Sequence, residues 1–137
     1  MKQLLLVDDN AKYTRLLRDF FQPLGYNVDE AVTAEEGLNT FLSHSGDHYS
    51  VIVTDITMET QLAGLFMLYK IRKKGFHGTV VVASTGFDFP GVVNLSRLIL
   101  RLCGVHFLVR KTTVLKKEPE FWPMSFFSPS QKKFQEI

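Results

Sequence analysis

The chain has 137 residues, 45% of them hydrophobic and 22% charged, with a net charge of +2. That length suits one domain with a real core, and that balance is the one of a soluble globular protein rather than a disordered one. The small, scattered positive charge excludes a nucleic-acid surface, no apolar run reaches the ~18–20 residues that span a membrane, and a single cysteine, Cys103, excludes a disulfide framework and argues against cysteine-held zinc.

The first residues carry one Lys and then Leu4-Leu5-Leu6-Val7, which runs straight into Asp8-Asp9. This stretch is too short for a signal peptide and does not alternate with polar residues, so it reads as a strand buried on both faces, and cytoplasm is the expected compartment. Tyr13, Leu16, Leu17, Phe20 and Leu24 recur at three- and four-residue spacing, which predicts one apolar helix face ending near Pro23-Leu24-Gly25. Residues 27–31 give a second, weaker strand. Thr33 and Glu36 form a T-x-x-E capping box, and Leu38, Phe41 and Leu42 supply the inward face of the helix behind it. Val51-Ile52-Val53-Thr54 is a third strand, arriving at Asp55. Leu65, Leu68 and Ile71 mark a helix ending at Lys73-Lys74-Gly75, with cations at the end where the dipole favours them. Residues 79–83 form a fourth strand, 92–103 a helix stopped by Gly104, and 107–109 a fifth strand.

Five strands separated by four helices predict an α/β domain with a parallel sheet. Sites in such sheets form at the carboxyl ends of strands near the topological switch point. The chemistry-bearing residues stand there: Asp8-Asp9 after the first strand, Asp55 after the third, Ser84-Thr85 after the fourth, Arg110-Lys111 after the fifth. Taken singly, each reads equally well as turn or cap chemistry, with Asn10 capping the first helix and Lys111 a solvated charge. Taken jointly, three carboxylates converge at one sheet edge, where like charges need a proton or a cation. Magnesium suits such oxygen ligands. An aspartate carboxylate can attack phosphorus to form an acyl phosphate. Lys111 would stabilise the outer phosphoryl oxygens, and a hydroxyl at Ser84 or Thr85 would hydrogen-bond the group after transfer.

Leu5-Leu6-Val7-Asp8-Asp9-Asn10 and Val53-Thr54-Asp55-Ile56-Thr57-Met58 together resemble the receiver domain of bacterial response regulators, the CheY-like family. The resemblance covers about residues 2–111. It implies a flavodoxin-like five-stranded parallel sheet of order 2-1-3-4-5, an aspartyl-phosphate at Asp55, and phosphate received from a histidine kinase or histidine phosphotransfer protein. It assigns Mg2+ to the side chains of Asp9 and Asp55 and the backbone carbonyl of Thr57, with Asp8 helping through water.

Several positions depart from the family pattern. Glu59 stands where Pro usually follows D-x-x-M, and Gly64 comes one residue late, which suggests an insertion in residues 59–63. Counting from the fourth strand favours Ser84 as the switch hydroxyl, while the T-G dipeptide favours Thr85-Gly86; Ser84 is preferred. Counting from Gly104 selects Lys111 as the conserved cation and counting from Phe107 selects Arg110; Lys111 is preferred, although Thr112 replaces the Pro that normally follows. The switching aromatic is Phe107 or Leu108. The largest departure begins after Lys111, where Pro119 and Pro123 interrupt any continuous fifth helix. The atypical segment 112–137 therefore follows a receiver core of residues 1–111. Its cluster Phe121, Trp122, Met124, Phe126 and Phe127 either packs on the sheet face left bare or forms a docking or dimerising surface, and Ser128-Pro129-Ser130 would open a short terminal helix.

The expected function is a stand-alone receiver, a phosphoacceptor signalling domain rather than a conventional enzyme. It would act through an unknown downstream protein, with no nucleic acid and no membrane, since the residues after Lys111 are too few for an output domain. A binding module on the same fold that no longer uses phosphate is the alternative. A phosphatase with an aspartate nucleophile is disfavoured because Thr57 stands where its second Asp would, and a nucleotide-binding flavodoxin-like domain because no Gly-rich phosphate loop follows the first strand.

Overall fold

The computed structural model describes residues 2–55, 63–84, 106–117, 119 and 121–123. Strands β1 (Lys2–Val7), β2 (Tyr26–Ala31), β3 (Val51–Asp55) and β4 (Thr79–Ser84) lie side by side in the order β2-β1-β3-β4, all parallel. Beyond them β5 (Phe107–Arg110) pairs parallel with β4, and β6 (Phe121–Pro123) pairs antiparallel with β5. Helices α1 (Ala11–Phe21), α2 (Ala34–Leu42) and α3 (Ala63–Lys73) connect the first four strands. Expectations for Thr57, Glu59, Thr85, Gly86, the helix over 92–103, and the segment 124–137 fall outside the described residues.

Alternation along the strands divides the core into two layers. Leu5, Val7, Ile52, Val80 and Val82 face α2 and α3, where Phe41, Tyr49, Met67, Leu68, Ile71 and Phe76 complete one buried cluster. Leu4, Leu6, Val51, Val53, Val81, Ala83 and Val109 face the other way, onto Leu17 and Phe21 of α1. A strand buried on both faces must be apolar at every position, which is why the runs 4–7, 51–53 and 80–83 read as continuous hydrophobes.

Local signals set the helix ends. Asn10 accepts hydrogen bonds from the backbone N–H of Lys12 and Tyr13 at 3.0 and 3.3 Å, capping α1. After Phe21 the chain tightens into a 3-10 turn, and Gly25 at φ 95° reverses it into β2, a conformation glycine adopts without steric cost. Thr33 Oγ1 accepts from the Glu36 N–H at 3.0 Å, as a capping box requires. The Glu36 carboxylate reaches back to the N–H of Val32 rather than of Thr33. In α2, a Cβ on Gly37 would lie 2.8 Å from both Met67 Sδ and Val7 Cγ2. The missing side chain lets α2 sit close against the carboxyl end of β1.

The carboxyl-terminal part departs most from sequence expectation. A one-and-a-half-turn helix, Lys111–Leu115, starts directly after β5 and buries Val114 against the α1 layer. Lys117, at φ 60°, ends it, donating its N–H to the Val114 carbonyl at 3.0 Å. The backbone of Phe121-Trp122-Pro123 extends the sheet, with Val109 opposite Phe121, Leu108 opposite Trp122 and Phe107 opposite Pro123. Aromatic residues favour extended backbone, the residue before a proline is held out of the helical region, and proline is tolerated on an edge strand.

Candidate functional site

Parity along the strands places the acidic residues. Leu4 and Leu6 face α1, so Asp8, which continues β1 by donating its N–H to the Ala31 carbonyl at 3.0 Å, falls on that side too. Val51 and Val53 face α1, and Asp55, the last residue of β3, follows them. The register sets Val7 against Thr54, which brings Asp8 level with Asp55 at the carboxyl edge. Asp8 and Asp55 are buried while Asp9 is exposed, and one carboxylate oxygen from each lies within 4.8 Å of the others.

The turn that follows β1 is held by Asp8 itself. Its Oδ1 accepts the Asn10 N–H at 2.9 Å, an Asx turn that orients the carboxylate and presents Asn10 as the helix cap. The cap-and-turn role and the site role are thus carried by neighbouring atoms of the same residues. Three clustered carboxylates, two of them buried, are a hard, oxygen-only donor set open to solvent through Asp9. That set fits Mg2+, which keeps part of its water shell.

Three further sequence candidates reach the same edge through the backbone. Asp55 pairs with Ala83, and Ala83 with Val109. Ser84 therefore ends β4 one residue past the level of Asp55, with its backbone in register with that of Arg110, which ends β5. Lys111 is the next residue and opens the short helix. Thr57 and Thr85 are not among the described residues.

Sequence reading passed over two cations. Arg15 and Arg18 join Asp8, Asp9, Ala11, Thr14 and Glu30 around a hollow of about 330 Å³ beside the acidic cluster. Arg18 is tied to Glu30 at 2.8 Å, half exposed. The signal was present: 11, 14, 15 and 18 fall on one helical face, next to the cap that follows Asp9.

Known proteins with similar sequences and folds point the same way. The model of the response regulator receiver domain matches residues 4–94. Response regulator ArlR of Staphylococcus aureus is 25% identical over 125 residues, covering 88% of this chain and 55% of ArlR, so the chain spans about half the length of that relative. Chemotaxis protein CheY4 of Vibrio cholerae superposes with a TM-score of 0.68 at 20% identity, covering 85% of this chain and 94% of CheY4. A co-crystal structure of the Saccharomyces cerevisiae histidine phosphotransfer signaling protein Ypd1 with the receiver domain of its downstream response regulator Ssk1 gives a TM-score of 0.65 at 16% identity, covering 85% and 86%. The two structural likenesses speak for the fold alone. The sequence match takes in β1 to β4 with both acidic turns and more than half of the chain, which therefore belongs to the family of response regulator receiver domains.

Proposed function

We propose that this receiver accepts a phosphoryl group on Asp55 from a phosphohistidine of a histidine kinase or histidine phosphotransfer protein, and signals by changing its affinity for another protein. Receiver domains as a family bind Mg2+ at an acidic pocket and interact with such donors. The observation that carries the reading for this chain is the convergence of Asp8, Asp9 and Asp55 within 4.8 Å at the carboxyl edge of the sheet.

In the proposed reaction an Asp55 carboxylate oxygen attacks phosphorus, and the bond from phosphorus to the donor imidazole nitrogen breaks, its electron pair returning to the ring. Mg2+, held by Asp9, Asp55 and the Thr57 carbonyl with Asp8 in its outer shell, would neutralise charge on the phosphoryl oxygens. Asp8 keeps Asn10 and the start of α1 in place through its Oδ1. Lys111 supplies the second cation, with Arg110 the rival residue. Ser84, or Thr85 next to it, donates a hydrogen bond to the transferred group. The new charge then biases a two-state rearrangement of the helix expected over 92–103 and the fifth strand, which changes partner affinity.

The five parallel strands in order 2-1-3-4-5 serve as the scaffold of this switch, residues 1–111 as its core, and residues 112–137 as packing or docking surface, with a homodimer as one outcome of docking. The reading concerns the domain and is the same for a free chain or a module of a longer one. Among the described residues no helix is long and apolar enough to cross a membrane; we assign the domain to the cytoplasm, where its donors act.

The test is intact-mass measurement after incubation with Mg2+ and a small-molecule phosphodonor. The mass should rise by one phosphoryl group, and Asp55→Asn should abolish the gain. A second reading, a binding module that no longer uses phosphate, draws support from the antiparallel strand on the outer edge of β5. It becomes the better one if a folded chain gains no mass with any donor.

A further inference from the structure

A second cluster of ligand-bearing side chains lies well away from the acidic edge. Asp29 is on β2 level with Leu5, upstream of Asp8. By the same parity that puts Tyr26 and Val28 on the α1 layer and Ala31 on the other, Asp29 faces the α2 side of the sheet. His44 and His48 follow the carboxyl end of α2, in the loop that leads into β3. One ligand atom from each of Asp29, His44 and His48 lies within 4.8 Å of the others.

The three are held by a shared framework. Buried Tyr49 donates its hydroxyl to Asp29 Oδ2 at 2.6 Å, fixing the carboxylate and leaving its other oxygen for a further partner. The imidazoles of His44 and His48 stack with centroids 3.9 Å apart at 7°, and both meet the Tyr49 ring edge-on at 90° and 88°. The loop backbone is pinned by His44 N–H to the Phe41 carbonyl at 3.2 Å and by His48 N–H to the Ser45 carbonyl at 3.1 Å. Asp29 and His48 are half-buried, whereas His44 is exposed and gives an ion a path in.

We propose that Asp29, His44 and His48 form a second metal site, for a borderline divalent transition metal such as Zn2+, which clasps the loop between α2 and β3 to strand β2. Two imidazole nitrogens and one carboxylate oxygen suit Zn2+ and not Mg2+, which wants oxygen only, so the two clusters divide metals by hardness. Three protein ligands leave a fourth position for water. The hydrogen bond from Tyr49 to the ligating carboxylate is the outer-shell contact that such ligands commonly carry. Zn–N bonds of about 2.0–2.1 Å require the two rings to tilt out of their parallel stack, a side-chain rotation that the exposed loop permits.

The test uses the untagged full chain, stripped of metal and held in excess Mg2+ to occupy the oxygen-only pocket. Zn2+ titration calorimetry should show one equivalent that His44→Ala/His48→Ala lacks and Asp9→Asn retains. Tyr49→Phe should weaken that equivalent by roughly 10- to 100-fold, as outer-shell changes do. Equal stoichiometry and affinity in wild type and double variant would overturn the proposal, as would no Zn2+ uptake by wild type. Should the double variant not fold, ring-nitrogen NMR of the wild-type chain decides. Zn2+ should shift His44 and His48, and a shift confined to His77 or His106 would overturn the site.

Discussion

The first three strands and the last two are held in place by different means. From β1 to β3 every connection carries its own local instruction: Asn10 caps α1, Gly25 turns the chain into β2, and Thr33 caps α2. From β5 onward such signals thin out. The helix Lys111–Leu115 has five residues and ends on Lys117 in a left-handed conformation rather than on a glycine, and β6 has three residues whose pairing partner lies before that helix. A five-residue helix cannot hold itself in water. Its stability comes from Val114 seated in the α1 layer, whereas α2 adds caps to the packing of Phe41. The acid-bearing region is thus locally encoded, and the region that would relay a signal depends on tertiary contacts.

The largest effect expected from that contrast is in the locally encoded half. Phe41→Ala empties a site between Tyr49 and Phe76 and should cost about 3–5 kcal/mol in denaturant unfolding. Val114→Ala removes two methyl groups from the α1 layer and should cost about 2 kcal/mol. No loss there would mean that the short helix does not seal that face, and the contrast between the halves would become a contrast between core and appendage.

The acidic edge should answer in the opposite direction. Without divalent cation, Asp55→Asn removes one of three close like charges and should raise stability by roughly 1–2 kcal/mol, read as a higher melting midpoint. Added Mg2+ should stabilise wild type and not the variant. A destabilised Asp55→Asn would show the carboxylate cluster to be structurally satisfied rather than held in tension. Asn10→Ala should cost about 1 kcal/mol through the lost cap.

The smallest effect is a pH slope in the second half. His106 Nδ1 accepts the Val80 N–H at 3.1 Å, and burial followed by the nearby Arg72 charge lowers its pKa below 6.5. The fold therefore disfavours the charged ring relative to the unfolded chain, whose histidine protonates near 6.5. This contribution is full above about pH 6.5 and is lost as pH falls toward the lower folded value. Unfolding midpoints between pH 7.5 and 5 should fall for wild type, and less for His106→Gln.

Much of this was legible in the chain itself. The apolar runs of β1, β3 and β4, the caps at Asn10 and Thr33, the helix that ends at Lys73 and the position of Asp8, Asp9 and Asp55 at the carboxyl ends of their strands all follow from nearest-neighbour rules. Those rules act over a few residues, and a sequence displays such distances directly. The pairing of β6 with β5, the burial of Val114, and the meeting of Asp29 with His44 and His48 join residues whose separation along the chain carries no periodic signal. Only the assembled sheet, which sets parity and register for every strand residue at once, decided which of them would touch.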